Sequence, residues 1–199
     1  MNSLNYFGSG LMVASIRQWL YRILGEIPVA LFVFVGYGHG ITQPDIQRWI
    51  EAFSITSLAA LLHTISLLSR PEPINRLLLG ANLYLLIGGT AVAFNKANFL
   101  FWLDHYQETT VFLVISLLGL LTTVAAPSGF IGVKCAERSI VFKYSLWLLL
   151  LAILATLVSY ELRGDPLLAG FAPFIALVIF QKLMAKRLMG KALRAEPVH

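Results

Sequence analysis

Three ionisable side chains, Glu26, His63 and Lys143, fall inside long apolar runs of the chain. A charge at membrane depth is expensive, so groups of this kind generally face protein, water or one another. Counted inward at about 1.5 Å per helical residue, all three sit within one or two turns of the same side. They can form one polar pocket, with Glu26 and Lys143 as the ion pair and His63 as a neutral hydrogen-bond partner. In the competing arrangement Glu26 pairs with Arg22 one turn earlier, and Lys143 snorkels to the headgroups. A second set, Asn82, Tyr84, Asn95 and Trp147, consists of the aromatic and amide types from which small-molecule transport sites are built.

Other chemistry is poorly provided for. The four histidines, His39, His63, His105 and His199, do not fall in pairs at one depth, which argues against a transmembrane haem. His39, Asp45, Asp104, His105 and Glu108 offer metal-ligand types without a recognised ligand spacing, and read as solvated loops. The chain has no G-x-S-x-G elbow, H-E-x-x-H, C-x-x-C or Walker loop. Asp45, Glu51, Asp104, Glu108, Glu161 and Asp165 are spread over three loops instead of clustering as a lipid-phosphate enzyme requires. No catalytic residue, cofactor or metal is therefore expected.

The elements that must carry these residues are membrane helices. Apolar residues make up 58% of the 199-residue chain and charged residues 13%, and the mean hydropathy is +0.76. A soluble domain is far more charged. The runs predict an all-α bundle of six spans over about 23–41, 49–68, 74–94, 109–126, 139–160 and 166–184, in a single membrane domain. An interfacial helix over about 11–22 precedes them, and a basic tail, 185–199, follows. All Lys and Arg residues except Arg48, Lys96 and Arg163 then lie at one side, which predicts cytoplasmic N- and C-termini and outer segments at 42–48, 95–108 and 161–165. The net charge of +5 accordingly reads as an anchor for anionic lipid headgroups, not as a nucleic-acid footprint. Cys135, the single cysteine, implies no disulfide. Pro173 removes an amide from the sixth span and predicts a bend near Gly170. Gly88-Gly89-Thr90 reads equally as a substrate-binding break or as close helix packing.

Four features between Leu24 and about Thr123 carry a family resemblance: IPVALFVFVGY, the GGT of Gly88 to Thr90, FLFW from Phe99 to Trp102, and VFLVISLLGLL. On these the chain resembles the small bacterial inner-membrane proteins of the intracellular septation protein A type. It departs from them where Ala91 follows GGT without a Leu, where Leu103-Asp104 stands in a usually basic place, and in having six predicted spans, not five. The resemblance implies an accessory role in envelope maintenance or division, with no known reaction and no site residues to carry over.

The first expectation for function is thus a non-enzymatic accessory protein of a bacterial inner membrane that interacts with other membrane proteins. The alternative is a small-molecule transporter or the substrate-binding membrane subunit of one, and a lipid-modifying enzyme stands third. Convergence of polar side chains on one cavity separates these readings.

Overall fold

The computed structural model describes residues 27–38, 46–69, 74–133 and 137–195. Glu26, His39, Asp45, Cys135, His199 and the interfacial helix expected over 11–22 lie outside them. The described residues are helical without a strand: α1 (Ile27–Tyr37), α2 (Ile46–Leu68), α3 (Arg76–Ala93), α4 (Ala97–Tyr106), α5 (Glu108–Ala125), α6 (Arg138–Glu161), a π-helical turn (Pro166–Phe171) and α7 (Ala172–Ala195). Five are long and apolar enough to cross a membrane: α2, α3, α5, α6 and the π turn with α7 through Gly190. The shorter apolar α1 is what is described of the run expected at 23–41.

Local sequence explains where the helices start. Asn75 caps α3, its Oδ1 accepting from the amides of Leu77 at 3.1 Å and Leu78 at 3.4 Å. Asp165 caps the π turn in the same way, accepting from Leu167 at 3.0 Å and Leu168 at 3.2 Å, with Pro166 in the first helical position. Between α4 and α5 stands the single residue Gln107, at φ 45° and ψ −127°. A residue with a side chain rarely adopts that conformation, and here it turns the chain abruptly from α4 into α5.

Packing divides the bundle in two. One core joins Phe32 of α1 with Trp49 and Phe53 of α2, Tyr84 and Leu85 of α3, and Leu100 and Leu103 of α4. The other joins Phe112 and Ile115 of α5 with Leu148 and Ala152 of α6 and Leu177 of α7. Phe130 and Ile131, from the turn after α5, are tucked beneath this second core. Val111 packs against both.

Contacts within and between the halves rely on small residues. Gly88 lies against the ring of the fully buried Phe53, and Gly89 against Ser57, so a side chain at either would separate α2 from α3. Gly80 does the same for α3 and α5, where a Cβ would come 2.9 Å from Ile115. Hydroxyl pairs link α5 to α6, Thr109 with Ser159 at 3.3 Å and Ser116 with Thr156 at 3.2 Å. Many other large apolar side chains face outward. Leu58, Leu62, Leu121, Leu154, Ile175 and Ile179 are all more than half exposed, whereas Thr56, Asn82, Ser145 and Ser159 are fully buried. Small and hydroxyl-bearing residues at the helix contacts beside the aromatic and aliphatic cores, with further leucines and isoleucines exposed on the outer faces, are consistent with an integral membrane protein whose helices associate by close packing.

Candidate functional site

The two halves do not close completely. Between them lies a cavity of about 110 Å³, lined by α1, α2, α3, α5 and the π turn leading into α7. Helical spacing brings the lining together: Val29, Phe32, Val33 and Tyr37 share one face of α1, and Glu108, Val111 and Phe112 share one face of α5. The walls are rich in aromatic rings. Phe32 lies 5.3 Å from Trp49 and 5.9 Å from Tyr84, centroid to centroid, and Tyr37 stands edge-on to Trp49 at 6.3 Å. Phe112, Phe171 and Phe174 complete the opposite wall.

One carboxylate enters this apolar space. Glu108, in the first turn of α5, accepts a short hydrogen bond on Oε1 from the hydroxyl of Tyr37. Its Oε2 is buried and has no hydrogen-bond partner among the described residues. The same is true of the Tyr84 hydroxyl and of the Trp49 indole N–H, two residues only 2% and 3% exposed. Buried polar groups are nearly always paired, and an unpaired charged oxygen is among the most costly of exceptions. Three of them around one void mark a place where a partner fits.

The π turn makes room for the carboxylate. Gly170 packs directly on Glu108, and a Cβ there would lie 2.9 Å from the glutamate Cγ. Widening of the helix ends at Phe171, where the amide of Ala172 bonds back to Leu167, five residues earlier. Pro173 follows at once and cannot donate to Ala169. The hydrogen-bond pattern is thus irregular at Gly170, the residue near which Pro173 predicts a bend. Single π turns of this kind are frequent at functional sites.

The residues singled out by sequence are distributed as follows. Tyr84 lines the cavity. Asn82, two residues before Tyr84 and turned toward α2, is fully buried and donates from Nδ2 to His63 Nδ1 at 2.8 Å and to Thr64 Oγ1 at 3.3 Å. His63 therefore has its partner across α2 and α3. Lys143 is exposed on α6, and Glu26 lies outside the described residues. Trp147 is 56% exposed on the outer surface of α6, and Asn95 is exposed in the turn after α3 at φ 49°. Of the two proposed sets, the structure brings together His63 with Asn82, and separately places Tyr84 at the cavity.

Glu108, Tyr37, Trp49 and Gly170 escaped sequence reading as a group. Glu108 looked like one of several outer carboxylates in solvated loops, and nothing in its immediate neighbours shows that it turns inward. Pro173 beside Gly170 was the one legible signal of this region. A second depression at the same end of the bundle is open and polar, lined by Asp104, His105, Gln107, Arg163 and Gly164. Among the described residues no group of three or more His, Cys, Asp or Glu side chains could hold a metal ion.

These features define a class, a helical bundle with membrane-length apolar helices and one carboxylate-bearing aromatic cavity at the seam between its halves. No protein family, no curated protein and no solved structure matches the chain.

Proposed function

We propose that this chain is a six-span protein of the bacterial inner membrane that takes a small molecule into its seam cavity, acting as a transporter or as the substrate-binding membrane subunit of one. The observation that carries this reading is the convergence of unpartnered polar atoms, on Glu108, Tyr84 and Trp49, around a void between two separately packed cores. Sites at an interface between two packed units can open and close as one unit rocks against the other. Both termini are cytoplasmic in this reading, and the cavity lies at the periplasmic end. The supporting asymmetry is that Arg76, Arg138, Lys182, Lys186 and Arg187 belong to the opposite end, where anionic headgroups attract them.

Filling the void tests the proposal. Ala81 is 3% exposed and lines the cavity, so the larger side chain of Ala81→Leu projects into it. Purified full-length protein in detergent is heated with a panel of small organic molecules of about five non-hydrogen atoms, the size such a cavity admits. Members of the panel are expected to raise the melting temperature of the parent protein and to leave Ala81→Leu unmoved. Equal responses from both proteins would reduce the void to a packing defect and return the chain to the accessory reading.

A further inference from the structure

We infer that the seam cavity selects a small organic cation that carries N–H donors, a protonated amine on a compact apolar body. This rests on the small-molecule reading above and adds the chemical class. The carboxylate of Glu108 is half satisfied: Tyr37 donates to Oε1, while Oε2 is buried and open to a donor. A cation that donates there answers the charge and the hydrogen bond together, and such charge-assisted bonds are the stronger kind. The Tyr84 hydroxyl, 2% exposed and without a partner among the described residues, supplies a second acceptor on the same cavity. Around these two oxygens stand the rings of Phe32, Trp49, Phe112 and Phe171. Aromatic faces attract cations, most strongly when water is excluded. An anion finds no counter-charge among the residues that line the cavity. A compact body matches the cavity, whose volume of about 110 Å³ is below that of the roughly 150 Å³ void that accepts benzene.

Three probes of nearly the same shape separate the contributions: tert-butylammonium, tetramethylammonium and tert-butanol. The first has charge and donors, the second charge alone, the third neither charge nor more than one donor. Binding to full-length protein in lipid nanodiscs is measured by calorimetry for the parent, Glu108→Gln, Tyr84→Phe and Ala81→Leu. tert-Butylammonium is expected to bind at least about tenfold more tightly than the other two, and to lose at least about tenfold in Glu108→Gln. Tyr84→Phe removes one oxygen without changing shape, and is expected to weaken tert-butylammonium while leaving tetramethylammonium unchanged. It keeps the test open should Glu108→Gln fail to fold. If all three probes bind alike, and only Ala81→Leu abolishes them, the cavity is a binding site but the cation inference is overturned. If none binds the parent protein, the cation inference falls. The small-molecule reading falls with it only when the wider panel also fails to distinguish the parent from Ala81→Leu.

Discussion

At the scale of single residues, the position of the Glu108 carboxylate depends on what is missing opposite it. Gly170 has no Cβ, and the glutamate Cγ occupies the space that one would take. Gly170→Ala is therefore expected to push the carboxylate aside without demolishing the fold, since the glutamate can rotate. The expected outcome is a modest loss of stability, about 1 kcal/mol, alongside at least about a tenfold loss of tert-butylammonium affinity. Unchanged affinity, with the same loss of stability, would show that Gly170 serves packing alone. Asn82 presents a different case. Its amide is the donor to His63 Nδ1 inside a membrane-length helix pair, where such bonds average about 0.6 kcal/mol. Asn82→Leu is expected to lower the melting temperature in detergent by a few degrees at most and to leave ligand binding intact. A large drop in affinity would extend the binding region sideways, to the contact between α2 and α3.

At the scale of elements, the abrupt passage from α4 to α5 concentrates strain on Gln107. A non-glycine residue at φ 45° and ψ −127° carries a penalty of order 1–3 kcal/mol, partly offset here by whatever fixing the turn contributes. Gln107→Gly should raise stability by about 1 kcal/mol, after the added entropy of the unfolded chain is allowed for. A fall in melting temperature would mean that the glutamine side chain itself holds the turn. The elements were legible in the sequence because lipid forces backbone groups into helices and length does the rest. The runs expected at 49–68, 74–94, 109–126 and 139–160 correspond to α2, α3, α5 and α6 within three residues at either end. The sixth run begins at Pro166 as a π turn and continues as α7 through Ala195, past the 184 expected and into the basic tail. The site was less legible, for a physical reason. Depth along a span can be counted from its ends, but direction around the helix axis depends on neighbours that apolar sequence barely specifies. Hence Lys143 and Trp147 on α6 are exposed, while Glu108, counted among loop residues, turns inward. The glycines of α3 were readable only as an alternative, and Phe53 and Ser57 show how they serve the α2 contact.

At the scale of the whole molecule, the separation of basic residues from the cavity end makes orientation testable. A cysteine at Gln107, or at Gln43 in the preceding outer segment, should be modified by a membrane-impermeant thiol reagent applied to intact cells, with native Cys135 spared. Modification of Cys135 from outside would invert the proposed orientation and place the cavity at the cytoplasmic end. The apolar character of the outward faces has a consequence for how this chain can vary. Leu150, Leu154 and Leu157 on α6 face outward, while Leu148 and Ala152 pack in the core and Ser145 and Ser159 are buried on the same helix. In a water-soluble protein the exposed positions drift freely in polarity while the interior tolerates exchanges among large apolar residues. Here the permissive dimension is inverted. Outward positions can exchange leucine, isoleucine, valine and phenylalanine with hardly any constraint on volume, so they record little history. The tight inward contacts, such as those at Gly80, Gly88 and Gly89, are held to one size, because a side chain there separates two helices. Kinship to distant relatives would then be written in these contacts and in the buried cores, and hardly at all in the outward positions, which carry the least memory.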